Sequence, residues 1–461
     1  LKISRGKYIM VKVRFAPSPT GYLHIGNTRT LLINYLFARA RGGSLVLRIE
    51  DTDIERSHAR YEESIVEDLQ WLGTEWDEGP VRQTDRLGIY LDYAEILLEK
   101  NAAYKCFCTI EELEQMREDS LKKGKPPKYN GKCRGLSADM VKSMEQEGRP
   151  YVLRFKSLEK QISFIDDIHG RIDFPRDHVD DFILMKQEHT PSYNFAVTVD
   201  DMLMGITHVI RGADHVSNTP KQIMLFEVLG YKPPQYAHHS LLTGNDKKPL
   251  SKRHGVTNIR EFRNAGVLPQ ALMNYVGIIG RNVKKELMDM EELINTFSLN
   301  SLSPSDSLFD MDKLLWFNKE YMRNVTVERL LEDAGLAPDL KEKVMLLKEN
   351  ARTLNEIKDL LNIFDRADID GEGIEYLKAH KDTSIIIGVL ETTLKNDINI
   401  TFEQLMQELQ GTTSIKKKDM FMMLRIIFTG RKNGPPLGEI FHLIPKDIII
   451  KRIAGFINLI S

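Results

Sequence analysis

From Val11 to Phe15 apolar and basic residues alternate, the period of a short strand. A Pro- and Gly-rich stretch, APSPTGYLHIGN, follows with no regular period up to Gly26. From Thr28 onward Leu31, Leu32, Tyr35, Leu36 and Ala38 fall at helical spacing, and Gly42-Gly43 supplies a stop. Leu45, Leu47 and Ile49 then alternate in a second strand that ends at Glu50-Asp51. Strand, phosphate-sized loop, helix and strand are the opening of a nucleotide-binding α/β sheet.

Between about Tyr90 and Thr190 the pattern changes. An amphipathic helix (Tyr90, Tyr93, Ala94, Leu97, Leu98) leads into a cysteine-bearing, Lys-rich loop, KKGKPPKYNGKC, and then into short strand-like pieces such as YVLRF. This stretch reads as an insertion. Val197 to Val199 and then Ile206 to Ile210 have strand character, so the sheet is expected to resume there. Beyond Leu330 the apolar residues recur at i, i+3 and i+4 and strand signals nearly vanish, which predicts an all-α region. There is no internal repeat and no long low-complexity linker.

A length of 461 residues suggests about three domains. Hydrophobic residues at 42% and charged residues at 28% describe an ordinary globular chain. The net charge of -2 excludes a polycation, so any nucleic-acid partner must be met by local positive surface. Charges at Lys2, Arg5, Lys7, Lys12 and Arg14 interrupt any signal-peptide core, and the most apolar stretch, Met420 to Phe428, is short and broken by Arg425. A cytoplasmic protein with no membrane contact is expected. Residues Leu1 to Ile9 precede Met10 and read as an upstream extension or expression remnant. The three cysteines, Cys106, Cys108 and Cys133, point to metal or to chance rather than to a disulfide framework.

Two elements carry chemistry. His24-Ile25-Gly26-Asn27 stands where the loop enters the first helix, and a helix N-terminus offers unpaired N–H groups and partial positive charge to a triphosphate. Gly26 lets backbone approach the nucleotide, and His24 can donate to phosphate oxygens. Far downstream, Leu250-Ser251-Lys252-Arg253-His254-Gly255 lies in a loop of Gly, Asp and Lys, where Lys252 could set a point charge on a transferring phosphoryl group. Alone, the first is most often a surface histidine and the second a solvated loop. Flanking one sheet, they are what in-line attack on an α-phosphate requires.

At this point the sequence resembles a family. RFAPSPTGYLHIGNTRT with LVLRIEDTDIERS is similar to the signature of glutamyl-tRNA synthetases, class I enzymes of the HIGH/KMSKS type. PSYNFAVTVDDMLMGITHVIRGADHVSNTP, PLSKRHG, LFDMDKLLWFNKEYMR and FTGRKNGPPLGEIF resemble its later landmarks in order, so the likeness runs almost end to end. The resemblance implies roles. Arg14 and Arg211 would bind the substrate carboxylates, a task suited to the planar guanidinium fork. Glu50 would meet the amino group, while Ser18 and Tyr193 would line the amino-acid pocket. Ala16, His24, Gly26, Asn27, Asp214, His215, Leu242 and Lys252 would bind ATP, and His24, Ser251, Lys252 and Arg253 would act in catalysis. Without the resemblance, Glu50 would read as a solvent-facing strand end and Tyr193 as a core aromatic.

The chain departs from the family pattern at Asn27, where the signature has its last histidine, at Pro249, where the loop motif has its first lysine, and at Ala213, where glutamate is common. Cys106-x-Cys108 and Tyr129-x-x-x-Cys133 resemble a zinc site of some members, with Tyr129 as fourth ligand; the histidine others use is Gly135 here. Structural zinc and a vestigial cluster of free cysteines both stay open. Basic clusters at Lys122 to Lys128, Lys416 to Lys418 and Arg431-Lys432 read as solvated faces or, by the resemblance, as tRNA contacts.

The expected fold is α/β: a Rossmann-like class I catalytic domain with an α/β insertion, then an all-α anticodon-binding region. The expected bounds are 10–89 and 192–246 for the catalytic halves, 90–191 for the acceptor-binding insertion, 247–330 for a connecting domain and 331–461 for the helical region. The expected activity is ATP- and Mg2+-dependent ligation of L-glutamate to tRNA(Glu) by a monomer, with tRNA(Gln) as a second substrate left open. The rivals are a small-molecule nucleotidyltransferase of the HxGH type, which needs no long helical half, and an inactive tRNA-binding paralogue, which would not need His24, Lys252 and both arginines.

Overall fold

In the computed structural model, which describes residues 10–124, 127–250, 255–397 and 399–460, the first alternation forms strand β1 (Lys12–Phe15) and the helical period forms helix α1 (Ile25–Ala40). The helix starts three residues earlier than the apolar period because His24 caps it, its Nδ1 accepting the Gly26 amide N–H at 3.1 Å. Gly42, at φ 60°, turns the chain after α1, and a Cβ on Gly43 would lie 2.4 Å from the Val11 carbonyl oxygen. Strand β2 (Ser44–Ile49) pairs in parallel with β1, Leu45 opposite Val13 and Leu47 opposite Phe15. Its alternation is incomplete: Val46 and Arg48 are as buried as Leu45 and Leu47, as a strand covered on both faces requires.

Helix α2 (Ala59–Trp71) crosses to β3 (Glu78–Arg82), parallel to β2. After α3 (Leu87–Glu99) come β4 (Ala103–Cys106), α4 (Ile110–Lys122), α5 (Ala138–Gln146), β5 (Val152–Phe155), the antiparallel pair β6 (Ile162–Asp166) and β7 (Gly170–Phe174), and β8 (Ile183–Met185). Strands β4, β5 and β8 make a separate antiparallel sheet. The pair β6–β7 instead joins the main sheet, because β6 runs parallel to a later strand, β10 (Gln235–His239).

Residues Val197 to Val199, expected as a strand, lie inside helix α6 (Tyr193–Leu203), a correction with a clear cause. Phe195 through Met202 are all buried, Thr198, Asp200 and Asp201 included, so burial does not follow the helical period, and the β-branched valines of VTV imitate a strand. Strand β9 (His208–Gly212) follows, then α7 (Thr219–Leu229) and β10, which pairs in parallel with β9. The Thr207 N–H donates to the Lys12 carbonyl at 2.9 Å, which brings β9 beside β1. The strands therefore run β3-β2-β1-β9-β10-β6-β7. The crossover reverses direction between β1 and β9, and the C-terminal ends of these two strands open the crevice where doubly wound sheets bind ligands. Short strands β11 (Leu242–Thr243) and β12 (Ser307–Leu308) pair nearby.

Two compact units divide the chain: Leu1–Glu261 with Met273–Asp310, and Phe262–Leu272 with Met311–Ser461. The described residues of the second unit contain helices and no strand, as the pattern beyond Leu330 predicts, and it also includes helix Met311–Asn324. At its centre the buried guanidinium of Arg452 donates to the carbonyls of Phe428 and Arg366 and, at 2.7 Å, to that of Ile363. These carbonyls close the C-terminal turns of helices Lys417–Thr429 and Leu354–Asp365, where a cation meets both orphan acceptors and the negative dipole end. Burial pushes the Arg452 pKa down to about 10, which leaves it charged at neutral pH. Arg452→Met is expected to cost about 3 kcal/mol by stranding buried carbonyls. Calorimetry should then show the melting temperature lowered by roughly 6–12 °C for a unit of this size, and an unchanged transition would exclude this role.

Candidate active site

Beyond β1 and β9 a cavity of about 420 Å³ opens. Its wall includes Arg14, Ala16, Ser18, Gly26, Asn27, Glu50, Tyr193, Arg211, Asp214, His215 and Leu242, eleven positions singled out from the sequence. The loop after β1 is fastened by the Glu50 N–H, which donates to the Pro17 carbonyl at 3.0 Å. This sets Ser18 beside the end of β2. His24 stands just outside the wall, capping α1. Because its Nδ1 accepts a hydrogen bond, its proton sits on Nε2, and burial holds its pKa below the ordinary histidine value against the pull of Glu261. A neutral imidazole with an Nε2–H donor at a helix start suits a phosphate oxygen.

Ser251, Lys252 and Arg253 lie outside the described residues. Their neighbours are tied to the site from both sides. The Leu250 N–H donates to the carbonyl of Leu242, which lines the cavity, at 3.0 Å. On the far side the Ile25 N–H donates to Thr257 and the Ile259 N–H to Leu23, each at 2.9 Å, and Asn258 bridges His24.

Behind Arg14 and Glu50 of the wall lies a buried charge network whose other members the sequence reading missed. Arg48, fully buried, donates to Asp201 at 2.7 Å and to Glu50 at 3.2 Å. Arg14 meets the same Asp201 oxygen at 3.3 Å and the Ile210 carbonyl at 3.5 Å. Asp200 accepts from Gln83, Arg86 and Tyr90 at 2.8–2.9 Å. Burial holds the Glu50 carboxyl above its ordinary range against the pull of Arg48 and Arg14. Two signals were available: a charged Arg48 inside the apolar strand LVLRI, and two acids ending the apolar run AVTVDD, since buried charges need partners. Arg29, also missed, is buried on the wall and donates to the Ser240 carbonyl at 2.7 Å.

Arg211 is 4% exposed. Its Nε donates toward His238 Nε2 at 3.1 Å and its Nη2 to the Thr219 hydroxyl at 2.8 Å. Its Nη1 is buried without a hydrogen-bond partner. Tyr193 and His215 meet across the wall, hydroxyl to Nδ1, at 3.1 Å.

Away from the cavity the three thiols converge. The Sγ atoms of Cys106, Cys108 and Cys133 lie within 4.8 Å of one another, and Cys108 and Cys133 are 3.6 Å apart. The Tyr129 hydroxyl lies 3.4 Å from Cys106 Sγ and 3.8 Å from Cys108 Sγ and accepts the Cys133 N–H at 2.9 Å. Tetrahedral zinc with bonds of about 2.3 Å needs sulfurs about 3.8 Å apart, so the donor set fits that ion. In the basic clusters, Lys416 to Lys418 are exposed. Arg431 donates to the Asp359 carbonyl at 3.2 Å, and Lys432 lies 3.5 Å from Glu372.

A parallel sheet core ordered β3-β2-β1-β9-β10, a helix N-terminus at its switch point and buried arginines on the wall define a nucleotide-binding α/β enzyme. Residues 10–316 match the family described as tRNA synthetases class I (E and Q), catalytic domain, and residues 311–457 match an anticodon binding domain. The chain is 41% identical to glutamate–tRNA ligase 1 of Caldicellulosiruptor saccharolyticus, over 97% of this chain and 99% of that protein. It is 42% identical to the glutamate–tRNA ligase of Aquifex aeolicus, over 98% and 99%. A crystal structure of a glutamate tRNA ligase from Elizabethkingia meningosepticum in complex with its amino acid superposes with a TM-score of 0.85 at 31% identity, over 98% of this chain and 100% of that one. The chain belongs to the glutamate–tRNA ligase family of class I tRNA synthetases. Among its described residues no helix is long and apolar enough to cross a membrane.

Proposed function

We propose that the chain activates L-glutamate with ATP and esterifies it to tRNA(Glu), and that it works as a monomer in the cytoplasm. The observation that carries this reading is the charge pattern of one cavity: Arg14 and Arg211 beside Glu50. Two guanidinium groups and one carboxylate complement two carboxylates and one ammonium, the charges of glutamate. Ser18 and Tyr193 shape the same pocket. In the first step a glutamate α-carboxylate oxygen attacks the α-phosphorus of ATP, the bond to the β-phosphate bridge breaks, and pyrophosphate leaves. Adenosine lies toward Asp214, His215 and Leu242, the triphosphate toward Ala16, Gly26, Asn27 and the Nε2–H of His24, and Lys252 with Ser251 and Arg253 meets the leaving pyrophosphate. Magnesium travels with ATP and neutralises phosphate charge. In the second step a hydroxyl of the terminal ribose of tRNA attacks the activated carbonyl and AMP leaves. Positioning and electrostatics suffice, with no covalent enzyme intermediate.

Within this reading, residues 90–191 bind the acceptor end, residues 247–330 connect, and the helical region meets the anticodon. Aminoacylation with labelled glutamate and each purified tRNA tests it. Charging of tRNA(Glu) alone, or of tRNA(Glu) and tRNA(Gln), supports it and fixes the tRNA range. Failure with both refutes it.

Cys106, Cys108, Cys133 and Tyr129 are the residues that would hold a structural zinc. Metal analysis of the untagged chain is expected to find about one zinc per molecule, as a closed site requires, and Cys106→Ser is expected to release it. Metal-free, fully active protein would identify the cluster as vestigial.

A further inference from the structure

Nη1 of Arg211 is buried without a partner on a residue that lines the cavity, and the rest of the guanidinium is held by a support that crosses three neighbouring strands. On β9 and β10, Arg211 and His238 are register partners, and Asp166 ends β6 on the far side of β10. Asp166 and His238 are almost completely buried. One carboxylate oxygen of Asp166 accepts the N–H groups of Ile168 and His169 at 3.0 and 2.9 Å, and the other accepts the His238 backbone N–H at 3.1 Å. That second oxygen also takes the His238 ring Nδ1–H at 2.6 Å. The proton of the neutral imidazole is therefore on Nδ1, and Nε2 keeps its lone pair. Arg211 needs that lone pair, because its Nε always carries a hydrogen and points at Nε2 from 3.1 Å. The Thr219 hydroxyl, 3.1 Å from the same Nε2, accepts from Arg211 Nη2 at 2.8 Å and donates to the ring.

We infer that Asp166 and His238 are a positioning pair: they hold one tautomer and thereby align Arg211 so that its Nη1 receives a substrate carboxylate. This rests on the reading of Arg211 as a carboxylate ligand. Neither residue lines the cavity, so both act through Arg211. A burial-only role is a poor match to the chemistry. A histidine needed only for volume would not require an acid on one nitrogen and a guanidinium on the other. Burial keeps the ring below the ordinary histidine pKa, which accords with the neutral form the geometry demands.

Three variants of the full chain test the pair. His238→Leu removes donor and acceptor together. His238→Gln keeps one of each on a planar group. Asp166→Asn is isosteric; two turn amides hold its oxygen, so its NH2 group faces both the His238 backbone N–H and Nδ1, drives the ring proton to Nε2 and sets N–H against N–H at Arg211. With tRNA present, His238→Leu and Asp166→Asn are expected to raise KM for L-glutamate about ten- to a hundredfold. KM for ATP should stay within about threefold, and His238→Gln should recover most of the loss. Parallel increases in both KM values with a lowered melting temperature would overturn the inference and leave a packing role. So would an unchanged glutamate KM in His238→Leu while Arg211→Ala raises it. If Arg211→Ala itself leaves glutamate KM unchanged, the carboxylate reading of Arg211 fails first, and the two failures are told apart.

Discussion

Arg211→Ala is expected to lower kcat/KM for glutamate by about a hundred- to several-thousand-fold while Kd for tRNA hardly moves. The size follows from burial. Arg211 is 4% exposed at the cavity wall, and its Nη1 has no protein partner. A substrate carboxylate placed there would be largely desolvated, and losing its cation costs roughly 3–5 kcal/mol, at about 1.4 kcal/mol per tenfold. The selectivity follows from place. The residue stands one position before the end of β9 in the proposed amino-acid pocket, so removing it leaves the surfaces proposed for tRNA untouched. Its bonds to His238 and Thr219 supply the rival outcome. If Arg211 served only to knit β9 to its surroundings, the variant would melt earlier and lose tRNA affinity and glutamate turnover together. Measuring both quantities on one preparation separates the cases, and parallel losses would leave the pocket assignment without support.

What could be read from the sequence divides along a physical line. The opening strand, loop, helix and strand were legible because each depends on local period and on Gly-Pro punctuation. The cavity wall was legible because Arg14, Ser18, Gly26, Glu50, Tyr193 and Arg211 sit in ordered signature segments that resemble one family. In helix α6 the short run Val197-Thr198-Val199 has strand propensity, and burial on all sides, Asp200 and Asp201 included, leaves no exposed polar face to mark the helix. The support beneath the cavity was not legible for a different reason. Arg48 meets Asp201 and His238 meets Asp166 across long stretches of chain, and no local pattern announces which buried acid a buried base will find. A charge inside an apolar run says that a partner exists; only the fold says which.

Lys252→Ala is expected to slow adenylate formation by about a hundred- to a thousand-fold at saturating ATP, the usual consequence of losing one preorganised transition-state donor. The residue lies outside the described part of the chain, so the expectation rests on chemistry and on the anchored flanks. Leu250 is bonded to Leu242 at the cavity wall, and Thr257 and Asn258 are bonded beside His24. Both flanks of the segment are therefore bonded beside the cavity and His24, where the proposed reaction would release pyrophosphate. Negative charge builds on the β-phosphate oxygens as the bond to the α-phosphorus breaks, and an ammonium there helps the transition state more than bound ATP. Hence the loss should appear in the single-turnover rate, with ATP affinity changed much less. Pro249, where the family has lysine, sharpens the test, since Lys247 and Lys248 stand close enough in sequence to share the load. If either substitutes for Lys252, the single variant keeps a near-normal rate and the lost activity appears only when Lys247 or Lys248 is replaced as well. An unchanged rate in the combined variants would remove the loop from the chemistry altogether.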